Sequence, residues 1–471
     1  MAVLNVLIGI PGSGKTTFVR EFLKENNCVL VSTDLVRLNN PGIIEDLVWP
    51  TVYKEIGTNL ATGKDVVFDA TSISTKVRNR LKENIKPFCQ EYILNGYYFP
   101  TYYKICVDRV NKRNQMKGEL FLPLDVVASY GSWVCPPTYN ENFDNVFVVS
   151  NRPELLKNMV VDGYQGYGLY YKDSNQYVEE YSGFGDIEVF KPVRDNSNFR
   201  LASVSKQFIA YGIMTLIEKK LLTLETVLFD IFDNMPLYTK DITVKNMLNH
   251  TSGLLNYEDM PHTDAQISDS DVLDYIRTTD KTYFEVGSKY QYSNTAYVLL
   301  GLIIEKVSGI KLDKYMKEFV FDKAGLQDIC VNYQGVTEVN NRAYGTILVN
   351  GKRVKKDQYW CSATIGDGGL YSNIPDLKRW IKFLKNQNTY PYNLMKESTI
   401  VNGVDVHYGF GLRIDNLNGH KMICHCGSTI GTNTVIGYVE DTDIEFAMLL
   451  NSDGISCDHL ITNIKEYLKN V

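Results

Sequence analysis

Short apolar runs alternate with amphipathic stretches through the first third of the chain. The runs are Val3–Ile8, Cys28–Ser32, Val66–Phe68, Tyr102–Val107 and Val146–Val149, and helical patterns such as Thr17–Leu23 and Val77–Ile85 lie between them. Strands alternating with helices predict a parallel sheet with crossover connections. Beyond a polar join near Asn151–Lys157 the pattern changes. Gly168–Tyr171 and Tyr177–Tyr181 flank the turn-like Lys172–Gln176 and predict an antiparallel hairpin. Helical segments follow, clearest at Phe208–Lys219 and Tyr297–Val307. Strand patterns return at Thr434–Val439 and Glu445–Leu450 before a last amphipathic helix near Leu460–Leu468. The expectation is an α/β chain of two domains, residues 1–152 and 158–471. The first carries a parallel sheet; the second carries an antiparallel sheet and a helical subdomain.

Composition narrows the class. At 471 residues the chain exceeds one compact core, and 44% hydrophobic with 22% charged residues is the balance of a soluble globular protein. A net charge of −6 argues against broad electrostatic binding to nucleic acid, leaving room for a local basic groove. The nine cysteines are scattered, and Cys424 and Cys426 alternate along a strand pattern rather than forming a zinc knuckle. No stretch is long and apolar enough to span a bilayer, and the first apolar run has no basic region before it. Reduced thiols and a cytoplasmic protein are expected.

The first run ends in Gly9-Ile10-Pro11-Gly12-Ser13-Gly14-Lys15-Thr16, a complete phosphate-binding loop between a strand and a helix. Gly9, Gly12 and Gly14 let backbone N–H groups, that of Ser13 included, close on phosphate oxygens at a helix N-terminus. Lys15 is placed for the β- and γ-phosphates, and the Thr16 hydroxyl for Mg²⁺, so ATP and Mg²⁺ are the expected cofactors. Ser32-Thr33-Asp34-Leu35-Val36-Arg37 sits at the carboxyl end of the second strand, where open α/β sheets hold ligands. Asp34 there is either a general base for an attacking hydroxyl or a helix cap. Arg37 can grip an anionic acceptor group. Asp69 ends the third strand and can order the Mg²⁺ water shell. Arg109 and Arg113, four apart on a helical pattern, either close over the triphosphate or form a solvated face.

This set of segments, with the Pro136–Phe143 stretch, resembles the polynucleotide 5′-hydroxyl kinase group of P-loop kinases over about residues 1–150. The resemblance implies Asp34 as general base and Arg37 as acceptor contact. The acceptor stays open between a nucleic-acid end and a small hydroxyl compound.

In the second half, Ser203 and Lys206 stand three apart at a helix start, so the lysine amine can reach the serine oxygen. Gln291-Tyr292-Ser293-Asn294 and His425-Cys426-Gly427-Ser428 follow in an order and separation similar to the three-part site of the β-lactamase and penicillin-binding-protein superfamily. Leu248–Leu254, Gly366–Ser372 and Tyr408–Gly411 add to the resemblance, which is strongest to class C enzymes and their esterase and peptidase relatives. It implies Ser203 as nucleophile and Tyr292 as a base whose pKa cations must lower. Lys206 is the obvious cation and His425 a possible helper. Asn294 orients Lys206 or substrate, and the N–H groups of Ser203 and Ser428 form an oxyanion hole. His425 stands where β-lactamases carry a lysine, which points to a small-molecule or peptide acyl substrate other than a β-lactam. A bifunctional kinase and acyl hydrolase is the leading expectation. An ATP-gated hydrolase, or a kinase with an inactive hydrolase-like module, are the alternatives.

Overall fold

A computed structural model describes residues 1–116, 121–150, 164–261, 264–453 and 458–469. The expected join at 151–157 lies outside the described residues. The first body is built on β1 (Val3–Ile8), β2 (Cys28–Ser32), β3 (Asp65–Asp69), β4 (Ile93–Tyr98) and β5 (Asn145–Val148), in the order β2-β3-β1-β4-β5. All four pairings are parallel. Leu4, Val6 and Ile8 of β1 meet Val52, Ile56 and Leu60 of helix α3 (Glu45–Ala61), and all six are buried. Burial on both faces is why β1 reads as a continuous apolar run. Chain order reverses beside β1, so the loop that follows it opens at the topological switch point.

The run Tyr102–Val107 is not a strand. Tyr103–Asn114 is helical, and the fourth strand is Ile93–Tyr98. Cys106 and Val110, four residues apart, are the buried positions of that helix, a 3.6-residue repeat masked by the dense aromatic and β-branched residues around it.

A buried ion pair ties this body together. Arg78 donates to Glu141 through Nε (2.6 Å) and Nη2 (2.8 Å), and to the carbonyls of Ser72, Cys135 and Pro136. Both side chains are essentially inaccessible. Removing one charge strands the other, so Glu141→Gln is expected to destabilise the protein by about 3–5 kcal/mol in a urea titration. A loss below about 1 kcal/mol, the level of an exposed pair, would contradict this.

The second body carries a six-stranded antiparallel sheet. Its order is Arg413–Leu417, His420–Thr429, Thr432–Val439, Glu445–Leu450, β6 (Tyr167–Lys172), β7 (Tyr177–Ser182). The hairpin expected from Gly168–Tyr181 is β6–β7, paired Tyr167↔Ser182 through Lys172↔Tyr177. The helix Ser205–Glu218 is buried on every side, as a helix apolar all round must be. It packs against Asn294–Ser308 so closely that a Cβ on Gly212 would come within 2.8 Å of Ile304. These two helices carry Lys206 and Asn294, and Ser203 and Tyr292 lie just before their first turns.

The bodies join through main chain. Thr101 bridges Glu180 at the free edge of β7, and the Tyr102 N–H donates to the Glu179 carbonyl at 3.0 Å. The Tyr102 hydroxyl donates to Asp195 at 2.7 Å, and Arg194 reaches back to the Val134 carbonyl. The Thr101 hydroxyl also donates to the Ser13 carbonyl, so one strap touches both the phosphate loop and the second body.

Candidate functional site

The glycine loop between β1 and helix α1 (Lys15–Glu25) curls against Cys106. Gly12 has φ +83°, and a Cβ there would lie 2.6 Å from the Cys106 carbonyl oxygen. Only glycine fits. Lys15 is buried and donates to the carbonyls of Gly9 (2.8 Å) and Ile10 (3.0 Å). Burial lowers its pKa to about 8, against the opposing pull of Asp69. Asp69 is itself pushed up by burial, with Lys15 opposing.

A cavity of about 660 Å³ opens beside the loop, lined by Lys15, Thr16, Asp34, Asp69, Arg109 and Arg113. Arg109 donates to the Gly12 carbonyl at 3.1 Å, and the buried Arg113 Nε has no hydrogen-bond partner among the described residues. Helix α2 (Thr33–Asn39) is capped by the Ser32 hydroxyl, which accepts from the Leu35 N–H at 3.1 Å. Asp34 is therefore free of the capping role. Arg37 is not among the cavity-lining residues: its guanidinium lies on Glu45 and on Asp34 (3.0 Å). Trp49 of α3 also lines the cavity, and nothing in its sequence neighbourhood marked it.

Ser203 sits in the single turn Ala202–Val204 that leads into the helix Ser205–Glu218. Lys206 Nζ donates to Ser203 Oγ at 3.0 Å, to Asn294 Oδ1 at 2.8 Å and to the Asp367 carbonyl at 2.8 Å. It is fully buried, and burial lowers its pKa to about 8, with Asp367 and Glu258 acting in the other direction. Its ammonium lies over the rings of Tyr292 (4.9 Å) and Tyr297 (5.5 Å). A Cβ on Gly427 would stand 2.8 Å from the Ser203 nitrogen, so this glycine lets the strand His420–Thr429 approach the nucleophile's backbone. Ser428, one residue on, lines the same small cavity of about 60 Å³ as Ser203.

Two expected roles change. Burial raises the Tyr292 phenol, and Ser203 and Arg413 only partly offset it. Its hydroxyl lies close enough to Ser203 to be influenced, yet makes no well-aligned hydrogen bond. The Lys206 amine, lowered to about 8, is a better base near neutral pH than the raised Tyr292 phenol. His425 supplies no cation: it is fully buried and, with Arg413 and Lys206 nearby, held neutral well below its ordinary value. Its Nδ1 faces the Cys426 carbonyl (2.7 Å), so its Nε2 accepts from the Tyr408 hydroxyl at 2.9 Å.

Glu258 comes from the single turn Tyr257–Asp259, which carries no local signature, and Asp367 lies in the Gly366–Ser372 segment, whose resemblance gave it no role of its own. Both line the Ser203 cavity. Glu258 accepts from the Asn294 amide and is pushed up by burial. Asp367 accepts from the Tyr257 hydroxyl at 2.7 Å while its Oδ1 has no hydrogen-bond partner among the described residues. Arg200 lines the cavity too, its Nε and Nη2 donating to the carbonyls of Gly368 and Ser362.

A buried lysine bonded to a serine one helical turn away, beside a six-stranded antiparallel sheet, defines a serine hydrolase of the β-lactamase superfamily. The beta-lactamase family model matches residues 162–465, and the chain belongs to that family. An AAA-domain model matches residues 4–137, the body with the phosphate loop. Penicillin-binding protein 4* of Bacillus subtilis is 29% identical over 309 residues, covering 58% of this chain and 68% of that protein. D-aminopeptidase of Brucella anthropi is 24% identical over 306 residues, 60% of this chain and just over half (55%) of the relative. The octameric penicillin-binding protein homologue from Pyrococcus abyssi superimposes with a TM-score of 0.55 at 25% identity, covering 65% of this chain and 73% of that one. D-amino acid amidase from Ochrobactrum anthropi shares the fold, with a TM-score of 0.56 at 22% identity over 67% of this chain and 97% of its own.

Proposed function

We propose that the second body hydrolyses acyl bonds adjacent to a free amino group, through an acyl-enzyme on Ser203. The observation that carries this is the buried Lys206 amine, 3.0 Å from Ser203 Oγ and fixed by Asn294. Ser203 Oγ bonds to the substrate carbonyl carbon as its proton passes to Lys206. The N–H groups of Ser203 and Ser428 meet the developing oxyanion. The leaving amine takes its proton through the Tyr292 hydroxyl, and water then releases the acyl group.

The substrate's charge follows from the cavity walls. His425 is neutral, and the acidic side chains lining the Ser203 cavity are Glu258 and Asp367, the latter with its Oδ1 free of any hydrogen-bond partner among the described residues. They suit an ammonium, in line with the D-aminopeptidase name of one relative. Amino-acid p-nitroanilides are expected to exceed their N-acetylated forms in kcat/KM by about 10–100-fold, the value of a charge-assisted contact. Glu258→Gln should erase that preference, and Ser203→Ala should abolish turnover. Folded protein that turns over neither and takes no fluorophosphonate on Ser203 would refute the reading.

For the first body the reading is phosphoryl transfer from ATP to a hydroxyl acceptor, a nucleic-acid end or a small molecule. The residues fit the cofactors: Gly12 leaves a cradle that a Cβ would fill, and the buried Ser13 hydroxyl lacks a hydrogen-bond partner among the described residues. Thr16 and Asp69 are oxygen donors of the kind Mg²⁺ takes alongside phosphate and water. Bound Mg²⁺–ATP would supply the phosphoryl group. Lys15, Arg109 and Arg113 hold its charge, and Asp34 accepts the acceptor's proton.

A further inference from the structure

Tyr292 is bracketed by a single residue. His250 lies just beyond the short helix Val244–Leu248, and its backbone is left-handed at φ +61°. Its carbonyl accepts the N–H of Gln291 at 3.0 Å, and its Nδ1 accepts the N–H of Ser293 at 3.0 Å. These are the two neighbours of Tyr292 in the chain. The imidazole also lies against the Tyr292 ring, with centroids 4.3 Å apart and planes at 37°. Behind it stand Tyr297 (5.1 Å) and Tyr408 (4.7 Å). Because Nδ1 accepts, the ring proton sits on Nε2, which is buried and has no acceptor among the described residues.

We propose that His250 is a positioning residue: it sets the Tyr292 hydroxyl beside Ser203 by holding the peptide groups on both sides of Tyr292. This rests on the reading of Tyr292 as proton relay. The left-handed backbone is what permits it, since it turns one residue's carbonyl and side chain toward the same strand of chain. Asparagine tolerates that conformation and can present Oδ1 where Nδ1 stands. Glycine tolerates it and offers no acceptor.

The test compares His250→Gly, His250→Leu and His250→Asn with wild type. Rates of p-nitrophenyl ester turnover should fall about 100-fold in kcat for the glycine and leucine variants, the cost of a misplaced group, with KM nearly unchanged. The asparagine variant should recover at least about tenfold of that loss. Leucine keeps the volume where glycine keeps the backbone, so a folding failure in one leaves the other to decide. Glycine or leucine variants as fast as wild type, or an asparagine variant no better than they are, would overturn the assignment.

A second readout does not depend on hydrolysis. In protein labelled with ¹³Cζ-tyrosine, the Tyr292 resonance, assigned through Tyr292→Phe, should move in the variants lacking an acceptor and return in His250→Asn. An inert wild-type enzyme would sink the hydrolase reading, and an unmoved resonance would sink this one.

Discussion

Replacing Lys206 with methionine is expected to slow acylation of Ser203 by between about 10²- and 10⁴-fold, the range a positioned general base contributes. The side chain keeps its length and apolar stem, so the loss falls on the amine. While the nearby Tyr292 hydroxyl makes no aligned hydrogen bond to Ser203 Oγ among the described residues, that amine donates to it at 3.0 Å. Its pKa of about 8 also fixes the pH dependence of the native enzyme. Below that value the amine is an ammonium and has no lone pair to receive the serine proton. Above it the amine is neutral. Fluorophosphonate labelling of wild type should therefore rise with pH through about 8 and level off, and the rise should vanish in Lys206→Met. A phenolate base would give a different profile. Burial raises Tyr292, so a rate limited by its ionisation would keep climbing well past pH 10. A Lys206→Met protein that labels at the native rate would remove lysine from the mechanism.

How much of this was legible beforehand depended on how local each signal was. The phosphate loop is eight consecutive residues whose conformation the glycines impose, so it could be placed from its own motif, whereas the one-turn spacing of Ser203 and Lys206 carried weight only together with the Tyr292 and His425 segments. Tyr292 and Asn294 were found by their order along the chain, and the structure brings Asn294 onto Lys206 at 2.8 Å. The parallel sheet was legible as alternation, yet Ile93–Tyr98 was passed over because Asn95 and Gly96 interrupt its apolar run. Asn95 survives there by bonding sideways to Asn5 and Asn145, a ladder of amides visible only in three dimensions. His425 shows the opposite failure. Its residue type suggested a cation, but its charge is set by burial and by Arg413, neither of which spacing reports. Glu258 and Arg37 fail in the same way: one is brought to a site by a loop, the other drawn away from one by Glu45.

Replacing Asp34 with alanine is expected to leave ATP affinity within about twofold while lowering phosphoryl transfer by about 10²–10⁴-fold. Asp34 lines the same cavity as Lys15 but is exposed and, among the described residues, paired with Arg37 alone, so its loss disturbs no packing. Lys15→Ala should instead abolish ATP binding. Titration calorimetry in buffers of different ionisation enthalpy offers a check on that lysine. At pH 8 the free amine is partly neutral, and phosphate contact favours its charged form, so ATP binding should take up a fraction of a proton. Lys15→Ala should remove that uptake. The pair of variants separates a kinase from an ATP-gated hydrolase. In a kinase, Asp34→Ala loses transfer to acceptors in a cell extract while ester turnover at Ser203 stays unchanged. In a gated hydrolase there is no transfer to lose, and Lys15→Ala alters ester turnover through the strap that links Ser13, Thr101 and the edge of β7.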